Sequence, residues 1–150
     1  MTGWPQGVTT LDHTADVGIR VRAPALDALF HRAARGMIAV MRGEPDEARQ
    51  TDAGETAGEP AGEVRRVAVE AGDLETLLVA WLRELLFLVQ VRDFEYRSAR
   101  FQRLEPEGLE AEVRGTPPAA PETELKGVTY HGLAVERDDD GWTATVIFDV

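Results

Sequence analysis

The sequence predicts an α+β fold, in which about two main helices pack on antiparallel β-sheet. Two long segments repeat apolar residues at three- and four-residue steps, which is typical of amphipathic helices. Other segments alternate apolar and polar residues, which is typical of half-buried strands. Short turn sequences separate these strands, which favours antiparallel neighbours. The chain has 150 residues, enough for one core, so we expect a single domain over residues 1–150.

The first strand and the first helix follow each other in the N-terminal third. Val17, Ile19 and Val21 alternate with polar or small residues, which predicts a half-buried strand. Pro24 ends this strand. An apolar stripe over residues 26–41 then predicts a helix with one buried side.

Residues 44–63 form the low-complexity part of the chain. The segment is rich in Gly, Ala, Pro, Asp and Glu and has no aromatic residue and no Val, Ile or Leu. Such a composition cannot bury enough apolar surface to join a core. We therefore predict a flexible acidic loop inside the domain.

A short strand over residues 64–69 and a second helix come next. Asp73 is placed as the N-cap of this helix, because its side chain can accept a hydrogen bond from the first turn. The apolar face over residues 74–89 is wide, which predicts the central core helix, with Trp81 as a core residue.

The C-terminal half is predicted to consist of strands. Glu105–Gly108 and Asp138–Gly141 have the composition of tight turns, so each predicts a hairpin. The predicted strands cover residues 94–98, 101–104, 109–113, 133–135 and 142–150.

Composition excludes several classes of function. The chain carries 27 acidic and 16 basic side chains, a net charge of −11, which argues against general affinity for nucleic acid or anionic lipid. The lack of cysteine excludes disulfides and thiol nucleophiles. Ser98 is the only serine and lies in a predicted strand, so a serine hydrolase is not credible. We found no signal peptide, and the most apolar stretch contains charges, so we expect a cytoplasmic protein without a membrane span.

Two aspartates at strand ends are the candidate metal ligands. Asp16 begins the first predicted strand, and Asp149 ends the last one, followed by the carboxylate of Val150. Three carboxylates brought together would repel one another unless a hard divalent cation neutralised them. The alternative is that the aspartates are separate turn residues that never meet. The acidic run at Asp138–Asp140 is a solvated turn, because it lacks the ligand spacing of a calcium loop.

Lys126 and three histidines complete the set of candidate polar residues. Lys126 lies in a dense polar segment, where a surface pair with a neighbouring glutamate is the simpler interpretation. His13 and His131 have turn-like surroundings near the acidic residues and either line a site or make structural hydrogen bonds. His31 is expected at the surface.

Four segments together resemble the archease family. They are His13–Gly18, Leu77–Leu86, Glu124–His131 and Phe148–Val150, and they occur in the family's order from near the start of the chain to its last residue. Each segment alone would be weak. The four in order make the resemblance specific.

The resemblance implies an accessory protein of RtcB-type RNA ligases in tRNA splicing and RNA repair. Archeases are understood to promote guanylylation of the ligase and its repeated turnover, without being enzymes. The family's metal-binding acids fall on Asp16 and Asp149, with the carboxylate of Val150 as a further ligand by position, and its functional lysine falls on Lys126. Calcium is the expected ion, with magnesium or manganese as alternatives. The implied partner is the ligase, and we expect no stable direct binding of nucleic acid.

The chain departs from the family's pattern in places that do not touch the acids. The segment 44–63 is longer than expected, Gly127 stands where a residue such as alanine is expected, and Arg83 stands where asparagine is expected. Two other interpretations stay open: a chaperone-like or scaffold protein, and an autonomous metal-dependent hydrolase.

Overall fold

The computed structural model describes residues 7–12, 16–43, 62–118, 120–121 and 123–150, with the backbone alone for residues 9–12. His13 and residues 44–61 of the predicted acidic loop lie outside the described residues. The described part contains seven strands and two helices, in the order β1 (Val8–Asp12), β2 (Asp16–Ala23), α1 (Leu26–Arg42), β3 (Glu63–Glu70), α2 (Leu74–Arg92), β4 (Glu95–Glu105), β5 (Gly108–Thr116), β6 (Gly127–Asp138) and β7 (Gly141–Asp149).

The strands form two antiparallel sheets, which confirms the predicted α+β class. One sheet has the order β1-β2-β7-β6, and the other has the order β3-β5-β4. The last strand, β7, is therefore an inner strand, hydrogen-bonded to β2 on one side and to β6 on the other. This position holds the C-terminal end of the described chain by two backbone ladders.

The start and end of α1 follow from local sequence. Asp27 lies in the first turn, where the helix dipole favours a negative charge. At the other end, Gly43 has φ 72°, and its N–H donates to the carbonyls of Ala39 and Val40 at 3.2 and 3.1 Å. This left-handed conformation favours glycine and stops the helix.

α2 begins at the N-cap that the sequence predicts. The carboxylate of Asp73 accepts a hydrogen bond from the backbone N–H of Thr76 at 2.8 Å. That bond lowers the pKa of Asp73 below its usual value of 3.8, because it favours the charged form. The helix ends at Arg92, and the residue that caps it, Asp93, has φ 55°.

Trp81 lies in the core, as predicted, and joins the two helices. It is fully buried, and its Nε1 donates to the carbonyl of Phe30 at 3.0 Å. The rings of Tyr96 and Phe101 lie 5.8 and 5.2 Å from its centroid. The prediction that His31 is a surface residue is wrong, because it is half-buried and its Nδ1 lies 2.7 Å from the hydroxyl of Tyr96. That partner is distant in sequence, so the helix pattern alone does not reveal it.

Several strands differ from the prediction: β1 was not predicted, and β3, β4 and β6 have bounds that the sequence pattern does not give. β4 is one strand from Glu95 to Glu105, because register shifts after Tyr96 and Phe101 interrupt its alternation without ending it. β3 begins at Glu63, a residue that the sequence assigned to the acidic loop. β6 begins at Gly127, six residues before the predicted start.

Candidate functional site

The sheet register places Asp16 directly opposite Asp149. The two residues are backbone partners at the end of the β2–β7 ladder. Partners in an antiparallel ladder point to the same face, with their Cβ atoms about 4.5–5.5 Å apart. The structure therefore brings together the two acids that the sequence places at separate strand ends, 133 positions apart.

Burial of the opposite face sets this register. A slip of one residue would turn every side chain of a strand to the other face and expose the core residues to water. Asp16 and Asp149 project from the face of the sheet opposite to the core residues. The core-facing partners along the ladder are Val17 with Phe148, Ile19 with Val146, and Val21 with Ala144.

The two carboxylates differ in their exposure. Asp16 is half-buried, whereas Asp149 is exposed. Neither side chain forms an ion pair with another described residue. Two anionic groups on one face, without an ion-pair partner among the described residues, repel each other, and a hard cation between them would reduce that repulsion.

Lys126 reaches this end of the sheet from the other side of β7. Its backbone N–H donates to the carbonyl of Asp149 at 2.7 Å, and the next residue, Gly127, is the ladder partner of Asp149. Lys126 is exposed and forms no ion pair with Glu124, one of its two predicted partners, and the other, Glu122, lies outside the described residues. The backbone of Lys126 is thus fixed beside the acid pair while its ammonium group stays accessible.

Two polar side chains of α2 hold the segment that carries Lys126. Gln90 donates through Nε2 to the carbonyl of Leu125 at 2.8 Å. Arg83 donates through Nε and Nη2 to the carbonyl of Val128 at 3.1 and 2.8 Å. Leu125 and Val128 are themselves buried, at 1% and 2% exposure. Sequence reasoning missed these two positioning residues, although their seven-residue spacing places them on the same side of α2.

A cavity of about 870 Å³ adjoins Lys126 on the helix side of the sheet. Apolar side chains from both helices, among them Met41 and Val89, form part of its wall together with Lys126. Its floor contains Glu95, which is only 4% exposed and is paired with Arg42. The ion pair neutralises a buried carboxylate that would otherwise be costly in this setting.

The remaining predicted site residues have different positions. His131 is exposed and lies where the β6 register shifts between Thr129 and Ala134, and its N–H donates to Thr129 Oγ1 at 3.2 Å. Val150 follows the acid pair and packs its side chain against the core. His13 lies outside the described residues, so the structure does not place it.

A comparison with protein-family models matches most of the chain. The model of the archease protein family matches residues 9–150. The chain belongs to the archease family. Protein archease of Methanosarcina acetivorans is 34% identical over 148 residues, covering 93% of each protein. Protein archease of Methanopyrus kandleri is 33% identical over 153 residues, covering 93% of this chain and 96% of that protein.

Solved structures support the fold of this archease. The solution structure of Methanobacterium thermoautotrophicum protein 1598 superposes with a TM-score of 0.68 at 28% identity, covering 96% of this chain and 99% of that one. The crystal structure of an archease from Thermotoga maritima, described as a possible chaperone, gives a TM-score of 0.60 at 20% identity, covering 93% and 94%. At that identity the second likeness speaks for the fold alone.

In the described part of this archease, Asp16 and Asp149 form a pair of acids and not a closed cage of ligands. No group of three or more His, Asp or Glu side chains that could hold a metal ion occurs among the described residues. Calcium takes about 6–8 oxygen ligands and magnesium about six, so a pair of carboxylates fits as part of such a shell.

No helix within the described residues is long and apolar enough to cross a membrane.

Proposed function

We propose that this archease activates an RtcB-type RNA ligase in the cytoplasm, promoting guanylylation of the ligase and its repeated turnover in tRNA splicing and RNA repair. The single observation that carries the proposal is the register pair of Asp16 and Asp149, with Lys126 fixed beside it. These are the residues to which the resemblance assigns the family's functional positions. In this proposal the chain is a protein cofactor, and the ligase performs the chemistry.

The proposal assigns a divalent cation to Asp16 and Asp149, with calcium expected and magnesium or manganese as alternatives. A bound cation would neutralise the acid pair and direct positive charge toward the phosphates or carboxylates of the partner. The two side chains leave most coordination positions open, and water or groups of the partner can occupy them. The main-chain carboxylate of Val150 stays a predicted further ligand.

Charge and exposure support a protein partner for this end of the molecule. The net charge of −11 favours electrostatic steering toward a basic, RNA-binding enzyme. Lys126 is exposed and available to a phosphate or carboxylate of that enzyme. His13 and His131 are proposed as further partner-facing residues, and RNA itself is expected to be bound by the ligase.

Guanylylation of the cognate ligase tests this proposal. The reaction is followed with and without the archease in calcium, magnesium or manganese, using the wild type, Asp16→Ala and Asp149→Ala. Asp139→Ala, in the exposed β6–β7 turn, removes the same charge elsewhere and is the control. We expect the wild type and the control to activate the ligase and both site variants to fail.

Full activation by the site variants would refute the role of the acid pair. Absence of activation by the wild type with every cation would refute the ligase assignment. A short extension after Val150 tests the terminal carboxylate separately, because it moves that group while leaving Asp16 and Asp149 intact.

A chaperone-like function is the second candidate, because some large apolar side chains are exposed. Among the described residues these are Val64, Phe87, Val91 and Tyr130. A chaperone would protect unrelated proteins from aggregation, and Asp16→Ala would leave that protection unchanged. Hydrolysis of a nucleotide or RNA by the purified chain alone would instead favour the metal-dependent hydrolase.

A further inference from the structure

One side of α2 and the adjoining part of β6 present apolar and arginine side chains to solvent. Arg83, Phe87 and Val91 are spaced by four residues, so they lie along one side of the helix. Tyr130 of β6 extends this row, since its ring lies 4.9 Å from the guanidinium carbon of Arg83. Arg92 lies over the ring of Phe87 at 5.7 Å. We call these five residues the α2–Tyr130 face.

Phe87, Val91 and Tyr130 remain 42%, 56% and 53% exposed, although each is large enough to be worth burying. Their exposure is not a consequence of a loose helix, because the opposite side of α2 is buried in the core. Exposed apolar groups that cluster, rather than occur singly, are typical of interaction sites.

Arg83 is held in place before any partner arrives. Its Nε and Nη2 both donate to the carbonyl of Val128, and its Nη1 lies 3.5 Å from the hydroxyl of Tyr130. Little side-chain entropy then remains to be lost on binding, and the outer N–H groups stay free for a carboxylate. Tyrosine and arginine are also the residue types that dominate binding energy at protein interfaces.

The charge of this face differs from that of the chain as a whole. The protein has a net charge of −11, yet the face carries Arg83 and Arg92 and borders Lys126, which Arg83 and Gln90 hold beside it. A complementary surface therefore presents carboxylates around an apolar contact. Nucleic acid fits less well, because three cations on an anionic protein make a short phosphate-binding track.

We propose that the α2–Tyr130 face is a docking surface for a partner protein, one whose own surface has an apolar centre with acidic side chains around it. The inference rests on the proposed function in one respect: the partner is the enzyme that the neighbouring Lys126 and acid pair act upon. Docking on this face would bring that enzyme to the acid pair with a defined orientation.

Affinity of the cognate RNA ligase for four variants tests the inference. Val91→Glu and Arg92→Glu alter the face. Val64→Glu and Arg114→Glu make the same changes on the outer side of the three-stranded sheet, where Val64 and Arg114 are exposed ladder partners. We expect the dissociation constant to rise about tenfold or more for the first pair and less than about twofold for the second. Circular dichroism checks that all four variants fold. If Val91→Glu does not fold, the affinity of Arg92→Glu alone tests the inference.

Each result has one meaning. Binding of the wild type with equal affinities for all four variants would overturn the inference and leave the proposed function standing. No binding of the wild type to the ligase would overturn both. If Val91→Glu separates a dimer of this chain, or reduces retention of single-stranded RNA, while ligase affinity is unchanged, the face serves a different partner and the inference is wrong.

Discussion

Asparagine in place of Asp149 should stabilise the protein without a cation and destabilise it, relative to the wild type, with one. The acids lie opposite each other in the ladder, so their Cβ atoms are about 5 Å apart, and we take this value as the separation of the two charges. At that distance the repulsion is about 3 kcal/mol at an effective dielectric constant of 20 and about 0.8 kcal/mol in water. Since Asp149 is exposed, the lower value applies, near 1 kcal/mol. In a chelator, Asp149→Asn should therefore raise Tm by about 2–4 °C.

A bound cation should make the wild type more stable than Asp149→Asn. At about a hundred times its dissociation constant, a ligand that binds only the folded state adds about 2.7 kcal/mol. The wild type should gain that stabilisation, and Asp149→Asn should lose most of it. Thermal unfolding is followed by circular dichroism in a chelator and then in calcium, magnesium or manganese.

Asp139→Asn is the control for this experiment, because it lowers the net negative charge by the same amount in an exposed turn. An equal gain of Tm for both variants in the chelator would show that only overall charge matters. A wild-type Tm that no cation changes would refute the idea that the acid pair holds one.

Substitutions at three further positions test the core, the N-cap of α2 and the hydrogen bond that holds the segment before Lys126. Trp81→Phe should lower the free energy of unfolding by about 1–3 kcal/mol, because the buried carbonyl of Phe30 loses its donor, and chemical denaturation measures this. Asp73→Ala should lower Tm, whereas Asp73→Asn should keep the cap. Because the pKa of Asp73 is lowered on folding, its contribution is present above pH 3.8 and is lost as the pH falls through the lowered value, so only the wild type should show that loss in a pH series. Gln90→Leu should cost about 1 kcal/mol and reduce ligase activation, since it releases the segment before Lys126, and an unchanged activation would show that this hold is not needed.

Local patterns were enough to predict the elements that build the site. Alternation identified β2 and β7, and each strand places an aspartate at its end. What alternation cannot give is the partner of a strand. The pairing of Asp16 with Asp149 depends on which strands become neighbours and on their register, and both are settled by burial across the whole sheet.

Elements with irregular backbone escaped prediction for a related reason. In β6, several residues bulge out between the partners of Ile147 and Thr145, so the two-residue period is interrupted there. The chain after Lys126 therefore lacks the pattern of a strand although it pairs as one. The hydrogen bonds from Arg83 to this strand and from Gln90 to Leu125, just before it, were equally invisible, because their acceptors are backbone carbonyls, which any residue type provides.

The irregular part of β6 also explains why the acid pair sits on a firm surface. Ile147 points to the same face as Asp149, away from the main core, yet it is only 2% exposed. Gly132, in the bulge and with φ 66°, lies against it, since a Cβ added there would come 3.7 Å from Ile147 Cγ1. Gly18, the ladder partner of Ile147, is also buried. The outer face beside the acids is thus covered by protein, so β7 is packed on both faces where it delivers Asp149. A strand that is packed on both faces and paired on both edges cannot shift its last residue independently, so the core sets the separation of the Asp16 and Asp149 backbones.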